Sequence, residues 1–406
     1  MGVKEGKGLR YLGRVGTGYS EALTKVLVPA LKAAASDDSP FAGKTAPKGG
    51  REIHWVKPVL VAEIEHGGLT ENGTLRHAAY KGLREDKAPS DITDAPQAPA
   101  KTVSPKGKVV VAGVTISSPD KPLWPAHDGE AAITKADLAR YMEMAAERIL
   151  PHVADRPTSI IRAPDGIEGE TFFQRHAMRG SSPRLKLIDV KQRTPYLAAS
   201  DVGGLVAIAQ SGGIELHPWG CKPGDPEAPE QLTFDLDPDE GLDFEDVIAA
   251  AKDMKATLEA LGLNPFVKTT GGKGLHVVTP IKADGRSRVE WDQAKAFAKA
   301  VCEQVRDAAP DRYTTTLSKK ARGGKIFLDY LRNGRMATAA APWSARARPG
   351  ATIAFPLSWG QVRKGLDPKA YTLRTAPALL KKPDPWKDFR KGEVSLRPIL
   401  KKVGVG

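Results

Sequence analysis

A run of residues with no apolar period divides this chain of 406 residues into two parts. Residues 88–108 (APSDITDAPQAPAKTVSPKGK) are rich in Pro, Ala, Ser and Lys, a composition typical of an interdomain linker. Residues 1–87 precede this linker, residues 109–389 form a much larger body, and a C-terminal tail covers 390–406. From about Lys381 the sequence is again polar and contains prolines, so we expect this end of the chain to wrap the surface. We therefore expect a small N-terminal piece joined to a large body.

The composition excludes several classes of protein. No stretch approaches 18 consecutive apolar residues, so we expect neither a membrane-spanning helix nor a membrane partner. Two cysteines, Cys221 and Cys302, are too few for a disulfide framework, and a reducing cytoplasmic location is expected. Lys and Arg number 61 against 48 Asp and Glu, a formal net charge of +13, which suggests a polyanionic partner.

The N-terminal piece carries few elements. Alternating residues predict a strand over 9–15, and Ser20 is the expected cap of a helix that runs to about Ala34. A second strand is predicted from Trp55 to Ile64, and a third around residues 75–77. Three strands and one helix make a thin core, so this piece looks incomplete as an independent domain.

The body alternates strands and helices. Thr134 and Asp243 are the expected caps of two amphipathic helices, which reach about Ile149 and Gly262, and a third helix covers about 290–308. Length and β-branched or aromatic content predict five strands: Leu205–Ala209, Gln231–Leu236, Phe266–Thr269, Leu275–Thr279 and Lys325–Leu331. The fold class is therefore α+β, with a mixed β-sheet and flanking helices.

Two carboxylates share one face of a predicted strand. Residues two apart in a strand point the same way, so Asp235 and Asp237 project together while Phe234 and Leu236 pack behind them. Parallel carboxylates repel unless a cation neutralises them, and a pair of divalent ions held in this way suits phosphoryl displacement. An isolated D-x-D is more often a solvated strand end, here with a turn at Asp237-Pro238.

A third carboxylate interrupts another apolar strand. Asp329 lies within Ile326–Leu331, where an aspartate is costly to bury without a partner. If this strand neighbours the first, three carboxylates meet around one or two metal ions, and Arg332 and Arg335 can contact phosphate oxygens. The alternative is a single Asp–Arg surface pair, but the D-x-D favours the metal site.

A glycine-rich loop lies between two predicted strands. In residues 269–276 (TTGGKGLH) three glycines let backbone N–H groups approach a phosphate chain, and Lys273 and His276 add charge and donors. The loop is not a P-loop, because G-x-x-x-x-G-K-[ST] is absent and a strand follows it. A plain glycine hairpin is an equal alternative for the loop alone, and His217 is as often structural as functional.

Two adjacent aromatic residues lie among basic residues. Adjacent side chains of a strand face opposite ways, so one of Phe172 and Phe173 can be exposed for base stacking, although a Phe pair more often packs in the core. Lys121 and Lys135 belong to a scattered basic set that fits nucleic-acid backbone contact, some of which will be only a solvated face. Lys282 fits K-x-D-G, the nucleophile motif of ATP-dependent ligases, but it lies in a polar turn without the rest of that pocket.

Eight segments, in the same order along the chain, resemble the polymerase domain of bacterial DNA ligase D, of the archaeo-eukaryotic primase superfamily. They are SSPDKPLWP (117–125), RPTSIIRAPDG (156–166), ETFFQRH (170–176), IELHPWG (214–220), LTFDLDP (232–238), KTTGGKGLHVV (268–278), FLDYLRN (327–333) and APWSARAR (341–348). Thr270 replaces a common Ser and keeps its hydroxyl, and Trp343 replaces a common Tyr. The resemblance implies a primase-polymerase-like fold for residues 109–389.

The resemblance also implies the roles of individual residues. Asp235, Asp237 and Asp329 would bind two catalytic divalent ions, with Mn²⁺ favoured over Mg²⁺. The incoming NTP or dNTP and its triphosphate would be surrounded by six residues: His217, Thr270, Lys273, His276, Arg332 and Arg346. Phe172 and Phe173 would stack on bases, and Lys121 and Lys135 would hold the 5′-phosphate of gapped or broken DNA. Members of the family add nucleotides, ribonucleotides preferentially, during non-homologous end joining with the Ku protein in the nucleoid.

The N-terminal piece resembles the end of the ligase domain that precedes this polymerase. Its matching segments are LRYLGRVGTGYS (9–20), SPFA (39–42), WVKPVLVAEIEH (55–66) and LRHAAYKGLREDK (75–87), which belong to an oligonucleotide-binding (OB) fold. The resemblance implies a partial OB fold without the adenylation domain, for which a separately encoded partner is conceivable.

We therefore interpret the chain as a template-guided nucleotidyltransferase. The alternatives are an ATP-dependent ligase subunit, which requires adenylation of Lys282, and a non-catalytic module that binds DNA ends. Three converging carboxylates argue against the second alternative, because they add nothing to phosphate binding.

Overall fold

The computed structural model describes residues 1–5, 8–15, 21–41, 47, 53–65, 74–75, 78–83, 89, 107–127, 129–178, 180–318 and 322–405. The chain divides into two compact units, Met1–Val103 and Ser104–Gly406. Almost all of the predicted linker, and the predicted cap Ser20, lie outside the described residues. The boundaries at residues 87, 108 and 389 stay predictions.

The N-terminal unit contains short antiparallel strand pairs and one helix. Its elements are β1 (Gly2–Glu5), β2 (Gly8–Tyr11), α1 (Glu21–Ala33), β3 (Ala35–Ser36), β4 (Trp55–Val56), β5 (Ala62–Glu65) and β6 (Ala79–Leu83), and the pairs are β1–β2, β3–β4 and β5–β6. The strand predicted from Trp55 to Ile64 is wrong, because it is interrupted at Pro58, which lacks a backbone N–H donor. The third strand begins at Ala79, later than predicted, and the partial OB fold stays a prediction.

The large unit is a mixed α+β structure, as predicted. Its helices are α2 (Lys135–Met144), α3 (Ala146–Val153), α4 (Val202–Gln210), α5 (Phe244–Ala260), α6 (Trp291–Ala308), α7 (Ala376–Leu380) and α8 (Arg397–Leu400). Its strands are β7 (Lys108–Val111), β8 (Val114–Ser117), β9 (Pro122–Trp124), β10 (Ile133–Thr134), β11 (Thr158–Arg162), β12 (Phe172–Gln174), β13 (Lys186–Ile188), β14 (Tyr196–Ala198), β15 (Gly213–Pro218), β16 (Cys221–Lys222), β17 (Asp225–Pro229), β18 (Gln231–Pro238), β19 (Phe266–Thr269), β20 (Leu275–Pro280), β21 (Tyr313–Thr314), β22 (Ile326–Asp329) and β23 (Pro356–Leu357). Among the described residues, no helix combines the length and apolarity needed to cross a bilayer.

A six-stranded sheet forms the centre of this unit. Its strand order is β21-β22-β18-β20-β19-β23, and every neighbouring pair is antiparallel except β21–β22. Helices α5 and α6 pack against it, and Phe234 and Leu236 of β18 are fully buried. A second sheet, of order β12-β11-β15, lies in the same unit.

Side-chain caps fix where two of the predicted helices begin. Thr134 and Asp243 each form a capping box with the residue three positions later, as the sequence predicts. Gly262, at φ +88°, follows α5, and this left-handed conformation is strained for residues with a Cβ. The helix predicted from Thr134 to Ile149 is divided at Ala145 into α2 and α3.

The prediction of a strand over Leu205–Ala209 is wrong, because these residues belong to helix α4. Asp201 accepts a hydrogen bond from the Gly204 backbone N–H at 2.7 Å and so caps the helix. Residues 203–209 are buried all round, so the apolar run shows no helical period and cannot be distinguished from a buried strand by pattern.

The C-terminal segment is part of the core, and the expectation of a polar surface tail is wrong. The rings of Trp386 and Phe389 stack at 4.9 Å and are both buried. Leu396, Ile399 and Leu400 join the main hydrophobic core. The charged residues between these apolar ones make the mean hydropathy of the segment low. The segment is nevertheless anchored in the core, because a few large apolar side chains are enough to bury it.

Candidate active site

Four ionisable side chains form a row across the central sheet. Asp235 of β18 lies directly opposite Asp329 of β22 on one side and His276 of β20 on the other. His276 in turn lies opposite Lys268 of β19. Paired residues of neighbouring strands share a face, so Asp329, Asp235, His276 and Lys268 project together. This face is opposite to the one that buries Phe234 and Leu236, which alternate with the aspartates.

Each aspartate of the predicted set is in contact with an arginine. Arg332 Nη2 lies 3.2 Å from Oδ2 of Asp235 and 3.2 Å from Oδ2 of Asp329, so one guanidinium bridges the two carboxylates. Asp237, two residues along β18, forms an ion pair of 2.8 Å with Arg322. The strand pairing on which the sequence argument depended is therefore present, and cations already stand among the carboxylates.

The two buried aspartates have opposite pKa shifts. Burial raises the pKa of Asp235, but the contact with His276 and the positive charges of Arg332 and Lys268 outweigh it, so this pKa lies well below its ordinary value. Burial also raises the pKa of Asp329, and repulsion by Asp235 and Asp237 adds to that rise despite the attraction of Arg332. The three carboxylates therefore interact electrostatically.

The basic half of the row is buried as well. His276 Nε2 lies 3.3 Å from Asp235 Oδ1, and its Nδ1 is buried without a hydrogen-bond partner. Burial, with repulsion from Lys268, lowers the pKa of His276 to about 4. Burial, with repulsion from Arg346, lowers the pKa of Lys268 to about 7. At neutral pH the His276 ring is therefore uncharged.

Thr270 organises the glycine loop that follows β19. Its hydroxyl accepts hydrogen bonds from the N–H groups of Gly272 (3.2 Å) and Gly274 (3.3 Å). Gly271, at φ +69°, lies against Arg346, and a Cβ there would come within 2.5 Å of the arginine Cγ. The close approach of Arg346 therefore requires glycine at this position.

Glu215 connects a histidine to an arginine at the floor of the site. Its Oε2 lies 2.7 Å from His217 Nε2 and 2.9 Å from Arg346 Nε, and its Oε1 accepts a hydrogen bond of 2.8 Å from the Ala347 N–H. Burial alone raises the pKa of Glu215, but these contacts lower it to about 2. Arg346 also donates to the Thr270 carbonyl, which links this group to the glycine loop.

These groups surround a cavity of about 410 Å³. Eight of the predicted site residues line it: Asp235, Asp237, His217, Thr270, Lys273, His276, Arg332 and Arg346. Arg322 and Arg348 also line it, whereas Asp329 lies behind Arg332. The cavity has the size of a small-ligand site and a mainly polar, cationic rim.

The predicted aromatic pair lies beside this cavity on the three-stranded sheet. Phe172 is 36% exposed and Phe173 is 56% exposed, so the alternative in which both pack in the core is wrong. The Arg162 guanidinium lies 5.1 Å from the centre of the Phe172 ring, and the Phe173 ring lies 5.9 Å from the His217 ring. Both rings are therefore partly exposed for stacking, and each lies next to a basic side chain.

The two predicted phosphate-binding lysines neighbour each other and do not line the cavity. Lys135 donates its backbone N–H to the Lys121 carbonyl at 2.9 Å. Lys121 Nζ forms an ion pair of 2.6 Å with the exposed Asp165. Lys135 is only 8% exposed, and burial, with repulsion from Lys121, lowers its pKa. No carboxylate partner of the Lys135 ammonium occurs among the described residues.

The sequence argument missed three residues of this site. Glu215 could have been found, since it precedes His217 by two positions in a strand and shares its face. Lys268 interrupts an apolar strand in the same way as Asp329 does. Asn333 left no signal, because its side chain hydrogen bonds to the backbone of Thr233, which is distant in sequence.

The donor set fits a hard divalent cation. Carboxylate oxygens are the ligands that Mg²⁺ and Mn²⁺ prefer, and Asp235 and Asp329 already share one cationic group in Arg332. As they stand, no three His, Cys, Asp or Glu side chains among the described residues form a chelating cluster, because cationic side chains hold the carboxylates. A divalent cation bound here would compete with the arginines for carboxylate oxygens.

Lys282, the residue of the alternative ligase motif, is exposed and lies outside the cavity. It directly follows Ile281, which forms an isolated bridge with Val394. The K-x-D-G match therefore has no nucleotide pocket around it among the described residues.

Aspartates on adjacent antiparallel strands, beside a cationic cavity and a glycine loop, define a site of the nucleotidyltransferase type. The family model for the LigD primase-polymerase domain matches residues 134–386, and the model for the C-terminal region of ATP-dependent DNA ligases matches residues 1–87. The chain belongs to the LigD primase-polymerase family. The domain of this family is a primase-type polymerase, a nucleotidyltransferase that generally uses divalent metals.

Individual relatives agree with this assignment. The chain is 33% identical over 398 residues to a multifunctional non-homologous end joining protein LigD of Pseudomonas aeruginosa, covering 95% of this chain and 46% of that protein. It is 32% identical over 266 residues to the LigD protein of Mycolicibacterium smegmatis, covering 64% of this chain and 34% of that one. The polymerase domain of Mycobacterium tuberculosis ligase D, solved in complex with DNA, matches at 31% identity with a TM-score of 0.61, covering 68% of this chain and 98% of that domain. The chain thus spans about half the length of the Pseudomonas relative.

Proposed function

We propose that this chain extends a DNA primer in a template-guided reaction at the cavity described above. The primer 3′-hydroxyl attacks the α-phosphate of a bound NTP or dNTP, the bond between the α- and β-phosphates breaks, and pyrophosphate leaves. The observation that carries the proposal is the register of β18 and β22, which puts Asp329 directly opposite Asp235, a residue that lines the cavity.

The charged residues divide the cavity into two regions. Asp235, Asp237 and Asp329 would hold the divalent cations, for which we propose two Mn²⁺ or Mg²⁺ ions with Mn²⁺ favoured. Such ions, when bound, lower the pKa of the attacking hydroxyl and neutralise charge on the phosphates. The other region, around the glycine loop, carries positive charge and backbone N–H donors.

The glycine-loop region suits the triphosphate. Lys273 is exposed to the cavity and has no carboxylate partner among the described residues, so its charge is available to phosphate oxygens. Glu215 fixes Arg346 and His217, whose side chains line this region. Donors that are already oriented stabilise developing charge without reorganising during the reaction.

The surface beside the cavity suits a DNA end. Phe172 and Phe173 expose ring faces on which template and nucleotide bases can stack. Lys135 and Lys121 provide adjacent cations for a 5′-phosphate across a gap, and Lys135 lacks a carboxylate partner among the described residues. The solved domain with a TM-score of 0.61 was obtained in complex with DNA, which supports DNA as the substrate.

We place this activity in bacterial non-homologous end joining, the process for which its relatives are named. The Ku protein, a separately encoded adenylation domain and a location at the nucleoid stay proposals that depend on this role. Ligation by this chain alone is not expected, because Lys282 lies outside any nucleotide cavity of the described residues.

Primer extension on a gapped duplex tests the proposal. Labelled nucleotides are supplied with a 5′-phosphate present or absent, and with Mn²⁺ present or withheld by EDTA. We expect template-matched, metal-dependent extension, and a loss of about a hundredfold or more in Asp235→Asn. Asp307→Asn, which changes an exposed aspartate outside the cavity, is the matched control.

Two results of this assay would contradict the proposal. Extension that persists in Asp235→Asn at the wild-type rate would show that the carboxylate row is not the catalytic site. DNA binding with a steep salt dependence but no extension in any metal would instead indicate a non-catalytic DNA-end-binding module.

A further inference from the structure

The row of ionisable residues ends in a buried lysine to which the proposed reaction assigns no role. Lys268 is 2% exposed and is among the largest fully buried side chains of the molecule. Among the described residues, its ammonium makes a single hydrogen bond, a long one of 3.5 Å from Nζ to the Thr269 carbonyl. Burying an ammonium group with so few partners is costly, and an apolar side chain of similar length would avoid that cost.

The carboxylates of the site that lie near Lys268 are paired with arginines and not with this lysine. Three arginines form ion pairs with carboxylates of the site: Arg322 with Asp237, Arg332 with Asp235 and Asp329, and Arg346 with Glu215. Lys268 is a further cation beside these pairs, and no carboxylate within ion-pair distance of it occurs among the described residues. Its charge therefore acts on the site as a whole, at a distance, and not on one partner.

We infer that Lys268 is a positioning residue that fixes a positive charge behind the carboxylate row, so that the site favours a triphosphate and disfavours a divalent cation. This inference rests on the proposed function. The groups that face the ammonium are Asp235 from β18, His276 from β20 and Arg346 from the segment before β23. His217 and the buried His152 also lie within its electrostatic reach.

A fixed positive charge has opposite effects on the two ligands of this site. It repels a divalent cation at Asp235 and attracts a triphosphate. Lys268 and Asp235 lie two strands apart, about 10 Å between backbones. At that distance, with an effective dielectric constant of about 20 and 0.1 M salt, one unit charge changes divalent-cation affinity by about fivefold to tenfold.

The test removes the charge and measures each ligand separately in the full chain. Lys268→Met keeps the length of the side chain, and Lys268→Gln provides a second neutral variant if the first does not fold by circular dichroism. Mn²⁺ affinity is measured without nucleotide by electron paramagnetic resonance of the free ion. ATP affinity is measured in EDTA by calorimetry, and both titrations are made at pH 6.0, a full unit below the lowered pKa of Lys268, which is about 7. Lys282→Met, at an exposed lysine outside the cavity, is the matched control.

We expect the neutral variants to bind Mn²⁺ at least about fivefold more tightly and ATP at least about fivefold more weakly than the wild type, with the control unchanged. Damage to the structure would weaken both ligands together, so a loss of both affinities, or a change in neither, overturns the inference. Wild-type extension of the gapped duplex alongside such a result leaves the proposed function standing. A wild type that neither extends the primer nor binds Mn²⁺ overturns the proposed function, and the role of Lys268 with it.

Discussion

Substitution of Asn333 by alanine tests how the strand of Asp329 is held against that of Asp235. Asn333 Oδ1 accepts a hydrogen bond of 2.7 Å from the Thr233 N–H, and its Nδ2 donates to the Thr233 carbonyl at 2.8 Å and to the Tyr330 carbonyl at 2.9 Å. Along β18, pairing with β22 starts at Asp235, so the backbone of Thr233, two residues earlier, has no strand partner on that side. The Asn333 side-chain amide takes the place of that strand. The side chain therefore acts as a continuation of the strand.

The cost of Asn333→Ala follows from the backbone groups that it leaves unpaired. Asn333 is 1% exposed and Thr233 is 4% exposed, so water does not replace the amide easily. Each buried backbone group left without a partner costs about 1–3 kcal/mol, and Thr233 has two of them. We therefore expect a loss of about 4 kcal/mol in the free energy of unfolding, and a loss of nucleotide addition as Asp329 and Arg332 leave their register.

Urea unfolding followed by circular dichroism measures this loss, and primer extension below the unfolding transition measures the activity. Asn264→Ala is the matched control, because the exposed Asn264 makes one hydrogen bond, of 3.0 Å, to the Gly392 carbonyl. We expect the control to lose about 1 kcal/mol or less. A loss in Asn333→Ala no larger than that of the control would refute the account of the strand edge.

Three further predictions concern the cavity and the surface beside it. Glu215→Gln keeps the shape of the side chain but removes the charge that holds Arg346 and His217, so we expect a rise of about tenfold in the KM for nucleotide; equal KM values in the two proteins would contradict this. Phe173→Ala removes an exposed ring, and we expect weaker binding of gapped DNA by about 1–3 kcal/mol at unchanged stability, measured by fluorescence anisotropy and by thermal unfolding. Burial lowers the pKa of His276 to about 4, so below about pH 6.5 this histidine is protonated in the unfolded chain but not in the folded one. We therefore expect the free energy of unfolding to fall by up to about 3 kcal/mol between pH 6.5 and pH 4, and by less in His276→Asn. An identical pH dependence in that variant would refute this assignment.

The period of two in β18 was enough to predict the shared face of Asp235 and Asp237. The sequence argument could only assume that this strand pairs with the one carrying Asp329, because strand neighbours depend on contacts between residues distant in sequence. Helix α4 is a case in which the sequence pattern gave no information about secondary structure. Its residues are buried on every side, so no periodicity distinguishes the helix from a strand.

Contacts between charged residues that are distant in sequence could not be predicted either. Nothing in the glycine loop indicates that Arg346 packs on Gly271, or that Glu215 holds this arginine through an ion pair. The exposure of Phe172 and Phe173 depends on the edge position of β12 in its sheet, which the local pattern leaves open. The predicted roles of the site residues, as distinct from their positions, stay predictions until the assays above are made.

The ion pairs of the aspartates have a consequence for how the site works. Arg332 spans Asp235 and Asp329, and Arg322 holds Asp237, so divalent cations bound as proposed would compete with guanidinium groups for the same oxygens. Arg332 is 41% exposed and its partners are buried, so the arginine can leave at a smaller cost than the carboxylates can move. A released Arg332 remains at the cavity wall as a free cation, where a triphosphate can bind it. Under the proposed function, a cation at the aspartates would thus make Arg332 available to the nucleotide, and we expect the two ligands to bind cooperatively.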